Sequence, residues 1–416
     1  MKVAVIGAGV IGVTAAYYLA RDGHEVVVID RAGEPAAVAS RATGGHIAPG
    51  HSGAWASPRS RDQLIRSLRR RDTAFRLRLG TDRVFLRWTA AFLRNSTEGR
   101  YWQNSITKAR LTRYSRDRLV ELRADLGIEY DGAASGAIFL FRSEAGFAAA
   151  RARATTWAAN GLDLRVLGPD DITALDERLA GVAEHMAGAL YSEIDEVGDT
   201  RMFTQALAER TRDLGVTYQF HTTVQRLRST GTRITELATT GGAVSADAYV
   251  VANGVDCRRL LRQVGLRAPV YPLRGYTLTF QQRGDLVPTI GMVDEERLVA
   301  VARLGDRVRL GGVAELGPRG TAPDPAVAGY MIDVARDLFP NGADWDHPDT
   351  YACERPMTPD GPPILGMTPL ENLFANVGHG HIGWTMATGS AIIITDLLAG
   401  RRPAIDLTGM TIDRYV

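Results

Sequence analysis

Three glycines and one carboxylate in the first thirty residues have the types and spacing to hold a dinucleotide. Gly7, Gly9 and Gly12 form G-x-G-x-x-G, and Asp30 stands 23 residues beyond Gly7. The glycines supply a tight turn, close approach of backbone to a pyrophosphate, and close helix–strand packing. A helix that starts there points free N–H groups and a partial positive charge at phosphate. Asp30 lies where an acceptor for ribose hydroxyls is needed. A second glycine cluster, GHGHIGWTMATGS at 378–390, precedes a long apolar helical stretch. The N-terminus of that helix suits the negative charge that a reduced flavin carries at its pyrimidine edge. A nicotinamide enzyme needs only the first cluster and a cleft. The two clusters together point to FAD.

The elements that must position these groups are legible in the hydrophobic pattern. Residues 3–6 read as a strand, 10–21 as a helix stopped by Gly23, and 25–29 as a second strand. Residues 40–58 form a small-residue loop suited to run along a ligand. Helical spacing returns over 59–126, where Leu64, Leu68, Phe75 and Leu79 share one face. A buried strand is expected at 136–141 and a helix at 144–160. Residues 199–214 read as a helix, followed by strands at 216–219, 221–227, 233–239 and 248–251. The stretches 273–280 and 307–313 alternate like half-buried antiparallel strands. The expected fold class is α/β (α+β overall), with a Rossmann-like FAD-binding domain interleaved with an antiparallel-sheet substrate domain. Residues 1–80, 195–265 and 350–416 are assigned to the first domain, and 81–194 and 266–349 to the second.

Bulk properties narrow the function classes. The 416 residues suggest two domains, and 45% hydrophobic with 23% charged residues is ordinary for a globular protein. A net charge of +2 gives no mandate for nucleic acid. Cys257 and Cys353 form no metal-type spacing, and a cytoplasmic compartment is the default expectation. The first residues fit a nucleotide strand rather than a signal peptide. No apolar run is long enough for a membrane span, since 382–398 is broken by Thr385, Thr388, Ser390, Thr395 and Asp396.

With seven motifs in order along the whole chain, the sequence resembles the FAD-dependent family of D-amino-acid, glycine and sarcosine oxidases. Within that family it resembles the small subunits of D-amino-acid dehydrogenases. The motifs are VIGAGVIGVTAAYYLARDGHEVVVIDR, SRATGGHIAPG, IDEVGD (194–199), VVANGV (250–255), YPLRGYTLTF (271–280), ERPMTPDGPPILG (354–366) and GHGHIGWTMATGS. The resemblance implies that Gly7, Gly9, Val10, Ile11, Gly12 and Asp30 hold the ADP half of a non-covalent FAD. Arg31, Ser40, Arg41 and Ala42 would then lie along ribose and pyrophosphate. It places Gly44, Gly45, His46 and Ile47 at the isoalloxazine, Val224 at the adenine through its backbone, Ala252 and Gly254 among the cofactor-binding residues, and Gly380, His381, Ile382, Gly383, Trp384 and Thr385 at the pyrimidine edge. Arg355 would grip a substrate carboxylate with its guanidinium fork, and Tyr276 could add a phenolic hydrogen bond. The implied reaction is oxidative deamination of a D-amino acid by hydride transfer from Cα to flavin N5, with no obligatory side-chain base. A glycine, sarcosine, proline or hydroxyproline oxidase or dehydrogenase is the alternative on the same scaffold; a non-catalytic flavin-binding subunit is another.

Other residues receive plainer readings. His379 and His381 suit hydrogen bonding to a cofactor at least as well as acid–base work, and His46 and His51 lack partners at zinc-like spacing. Cys353 reads as a buried free thiol, although related sarcosine oxidases attach flavin nearby. Trp55 and Trp384 could wall the cofactor region or belong to ordinary core. The segment 59–78 holds eight arginines and two aspartates, read as a solvated basic face or, alternatively, as contact with an anionic membrane at the inner face of the cell membrane. The resemblance adds a quinone or other electron acceptor, and a partner subunit, as expected partners.

Overall fold

A computed structural model describes residues 1–68, 74–77, 82–317 and 323–415. Near-continuous apolar runs such as VAVI and VVVI can be buried on both faces, and they form the centre of a parallel sheet. Its strand order is Ile364–Met367, Leu373–Val377, Ala248–Val251, Lys2–Ile6, Glu25–Ile29 and Thr217–Gln219. Val5 pairs with both Val28 and Val250, and only the edge strand Ile364–Met367 runs antiparallel. Helices Val10–Arg21, Thr200–Asp213 and Gly383–Leu398 share one core with this sheet. A three-stranded antiparallel layer, Val224–Thr230, Arg233–Thr239 and Gly242–Val244, shares the other.

The second sheet has nine strands among the described residues and is mostly antiparallel. Its order is Asp349–Met357, Tyr271–Gln281, Arg307–Leu316, Val299–Leu304, Gly291–Asp294, Ala137–Phe141, Gly188–Ser192 and Arg165–Leu167, with Phe75–Leu77 added to Arg307–Leu316. Phe75 was expected on a helix. It pairs instead with Ala314, because the backbone of 314–316 offers partners that a frayed helix end cannot match. Leu79 lies outside the described residues. Strands 75–77 and 349–357 thus belong to the second sheet, although 75–77 and 350–357 fall inside stretches assigned to the nucleotide domain.

Two features fasten the sheets to each other. His46–Ile47 pairs with Glu196–Val197 as a two-stranded ribbon. The long helix Glu98–Leu126 packs against Gly383–Leu398 at Gly389, where an added Cβ would sit 2.8 Å from the Ser115 Cβ. That absence of a side chain lets the helices touch, and the Gly389 N–H donates to Ser115 Oγ at 2.9 Å. The large cavity of the molecule opens between the sheets. Among the described residues no helix is long and apolar enough to cross a membrane.

Candidate active site

The cavity measures about 1410 Å³ and runs from the G-x-G-x-x-G turn to strand 349–357. Pockets for single small ligands occupy ~300–1,000 Å³, so this one has room for a dinucleotide and a small substrate together. At its nucleotide end, Gly7 adopts φ +112, where a Cβ would meet the Ala252 carbonyl at 2.6 Å. A Cβ on Gly12 would meet the Gly7 carbonyl at 1.8 Å. Gly12 therefore serves helix–strand packing and does not line the cavity. Helix Val10–Arg21 opens on the cavity with no side-chain cap from Gly9; Ser40 Oγ reaches in to accept the Val10 N–H at 3.0 Å.

Asp30 does more than expected. Its two oxygens accept the Ala8 N–H at 2.6 Å and the Ala32 N–H at 2.7 Å, so it also ties together the turn and the loop after its strand. Arg31 pairs with Asp256 at 2.7 Å. Gly9, Val10, Ile11, Asp30, Arg31, Ser40, Ala42, Val224, Ala252 and Gly254 all line the cavity. Arg41 does not; its guanidinium stacks over Tyr351 at 5.2 Å.

Further in, Gly44, His46, Gly380, His381, Ile382, Gly383 and Trp384 line the wall, whereas Gly45, Ile47 and Thr385 stand behind it. Thr385 Oγ1 accepts the Ala48 N–H at 3.0 Å and so joins the loop to the helix start. The imidazoles here are held neutral. Burial lowers His46 to about 4 and His379 to about 3, and holds His381 well below its ordinary value with help from the charges of Lys108, His51 and Arg355. A neutral ring can both donate and accept a hydrogen bond. His379 Nε2 lies 3.1 Å from Ser390 Oγ.

Several buried polar atoms on this wall have no protein partner among the described residues. They are Asn253 Oδ1, both amide atoms of Asn376, His381 Nε2 and Trp384 Nε1. Buried polar groups are normally satisfied, and a polar ligand in the cavity would satisfy these. Together with the glycine cradle they fit FAD. Asn253 falls inside VVANGV and Asn376 just before the second glycine cluster, but neither is a glycine or a charged group, and nothing in the pattern marks either as a ligand.

At the far end Arg355 faces the cavity with no carboxylate partner among the described residues. Its Nη1 and Nη2 make only long contacts, 3.3 and 3.4 Å, to the carbonyls of Val313 and Gly312. Burial pushes its pKa down, as expected for a cation short of counter-charge. The guanidinium lies flat on Gly275, where a Cβ would stand 2.3 Å from Cζ. Val313 itself has φ +50, a strained state for a β-branched residue, next to a register shift in the ladder between 271–281 and 307–316. This local distortion accompanies the carbonyl that holds the guanidinium.

Tyr276 does not join Arg355. Strand alternation puts it on the opposite sheet face from Gly275. It is 1% exposed, and its hydroxyl donates to Glu315 at 2.8 Å. Burial and that carboxylate raise it to about 12. A single phenolic proton directed at Glu315 is not available to a substrate.

The cavity lining also carries an ion-paired group with no motif of its own. His51 Nε2 lies 2.8 Å from Glu295 Oε1, and Arg59 Nη1 lies 3.3 Å from Glu295 Oε2. All three line the cavity. Behind the wall, Lys108 is 2% exposed and donates to the Gly53 carbonyl at 3.1 Å; burial lowers it to about 7. It is one of only two lysines among 49 basic residues. Cys353 is a free thiol on the cavity wall, and no cluster of metal-ligating residues occurs among the described residues.

Residues 2–397 match the family model described as FAD dependent oxidoreductase, DAO. Over 412 residues, covering 99% of each chain, this sequence is 42% identical to "D-amino acid dehydrogenase 2" of Mesorhizobium japonicum. It is 40% identical to the D-amino acid dehydrogenase of Bradyrhizobium diazoefficiens, across 100% of this chain and 99% of the relative. Among solved structures, glycine oxidase from Geobacillus kaustophilus superposes with a TM-score of 0.77 at 23% identity, covering 100% of this chain and 99% of the other. L-proline dehydrogenase from P. horikoshii superposes at 0.75 with 16% identity, covering 100% and 97%. These two share the fold. On the span and strength of the sequence match, the chain belongs to the DAO family of FAD-dependent oxidoreductases, as the glycine cradle had implied.

Proposed function

We propose that this enzyme oxidises D-amino acids to 2-oxo acids and ammonia. The observation that carries the reading is Arg355, an enclosed guanidinium without a carboxylate partner among the described residues, facing a cavity whose other end is a dinucleotide cradle. An α-carboxylate is the natural counter-ion for such a fork. FAD, when bound, supplies the acceptor for the Cα hydride. Gly7, Gly9, Asp30 and Ser40 would hold its ADP half, and 380–384 with Asn376 its ring end. The preference for D-amino acids is supported by full-length relatives that carry that name.

Anaerobic bleaching of the flavin spectrum by a panel of D-amino acids, glycine, sarcosine and proline tests the assignment. Reduction by D-amino acids is expected, and reduction by glycine, sarcosine or proline alone overturns it. Arg355→Ala should raise the KM strongly while FAD stays bound.

The same reading includes a quinone or comparable acceptor and contact with an anionic membrane. Helix Arg83–Asn95 supports the contact, exposing Leu86 and Leu93 beside Arg83, Arg87 and Arg94. Residues 69–73 and 78 of the basic segment lie outside the described residues. Failure to co-sediment with anionic vesicles would remove this part alone.

A further inference from the structure

We propose that His51 accepts the proton of the substrate's α-ammonium group, with Glu295 as its positioning partner; this rests on the D-amino-acid reading above. An amino acid in neutral water is a zwitterion. Its Cα can release hydride only when the nitrogen has a free lone pair to form the imine. A proton must therefore leave nitrogen first, and a base in the cavity removes the need to wait for the rare neutral amine.

His51 has the geometry for that task. It ends the short 3-10 turn Pro49–His51, is 35% exposed at its side chain, and lines the cavity. Its ring stacks on Phe139 with centroids 5.3 Å apart and meets the edge of His381 at 6.0 Å. Arg355 also acts electrostatically on His381, so carboxylate-binding and proton-accepting groups flank the same residue.

The tautomer follows from the neighbours. Burial alone would raise Glu295, but His51 and Arg59 outweigh it and hold the carboxyl below its usual range. An ionised carboxylate only accepts, so Nε2 of His51 carries the hydrogen. Nδ1 then keeps its lone pair, since the ring's one hydrogen bond to a described residue is made by Nε2. Proton transfer breaks one N–H bond of the substrate ammonium and forms Nδ1–H, leaving a neutral amine and an imidazolium. Glu295 stabilises that cation, and the proton returns to water once product has left.

The other titratable groups facing His51 do not compete. His46 and His381 are neutral through burial. Asp195 accepts from the Gly50 N–H at 2.8 Å and from Ser192 Oγ at 2.7 Å, and does not line the cavity. Lys108 lies behind the wall, and Arg59 is paired with Glu295.

The test is anaerobic flavin reduction by D-alanine, followed against pH in the holoenzyme. H51Q should slow reduction about 10²- to 10⁴-fold near neutrality, with the deficit closing as pH rises and the amino acid loses its ammonium proton in solution. Binding of propionate, which has a carboxylate and no ammonium, should be unchanged. E295Q should show a smaller deficit of the same pH shape, and it carries the test if H51Q fails to retain FAD. Profiles parallel to wild type in the variants overturn the proposal while the activity reading stands. Wild-type enzyme that no D-amino acid reduces overturns both.

Discussion

Substitution of Gly275 by alanine tests the carboxylate site without touching a charged residue. The added Cβ would stand 2.3 Å from Arg355 Cζ, 2.3 Å from Nη2 and 2.6 Å from Nε. Carbon–carbon contacts settle near ~3.5–4.0 Å, so the guanidinium must retreat by roughly 1.2 Å or more. Charged hydrogen bonds to a carboxylate want ~2.7–2.9 Å. A retreat of that size breaks at least one of them, a loss of ~1.5–3 kcal/mol. At ~1.4 kcal/mol per tenfold, kcat/KM for D-alanine should fall about 10- to 150-fold, mainly through KM. Gly275 is not among the residues at positive φ, so alanine fits its backbone, and the loss of stability should be that of the displaced guanidinium alone, ~1–3 kcal/mol. Steady-state kinetics with a melting curve on the FAD-loaded enzyme make the measurement. A folded, flavin-loaded G275A with wild-type KM would refute the placement of substrate at Arg355.

Tyr276→Phe should leave KM within about threefold, because its hydroxyl already donates to Glu315, and should lower stability by ~1 kcal/mol for the lost hydrogen bond; kinetics and denaturant melts separate the two. Gly7→Ala should abolish FAD retention, since its Cβ would strike the Ala252 carbonyl at 2.6 Å, and the absorbance ratio of purified protein reads this directly. Burial lowers Lys108 from its ordinary 10.5 to about 7. The folded state therefore binds fewer protons than the unfolded chain between those values, and this group makes stability rise with pH across that window. K108M should flatten that slope, by on the order of a few kcal/mol in total, in urea melts taken at pH 7 and 10.

The parts legible in the sequence were those whose function is local. Gly7, Gly9, Gly12 and Asp30 are set by one βαβ unit, and 380–384 by one helix start, so spacing alone pointed to the nucleotide end of the cavity and to the wall further in. Arg355 needed the family motif, and the reason it sits where it does needed the fold. Gly275 makes room for it only because residues 271–281 and 349–357 pair with Leu273 opposite Arg355. The same pairing removed Tyr276, since neighbouring residues on a strand face opposite ways. The His51–Glu295 contact joins residues 244 apart, and no periodicity encodes it. Phe75 misled because helical spacing with Leu64, Leu68 and Leu79 weighs less than a waiting sheet edge.

The scarcity of lysine gives the molecule an unusual chemical face. With the Lys108 ammonium sealed in, Lys2 is the one lysine whose side chain reaches solvent, 43% exposed and 4.0 Å from Glu25. Activated esters and aldehydes react with amines far more readily than with guanidinium groups. Coupling through lysine will therefore seize the body of the fold at a single point, the first strand beneath the dinucleotide turn. A surface or dye attached there leaves the Arg355 end of the cavity free, and every molecule is held in the same orientation.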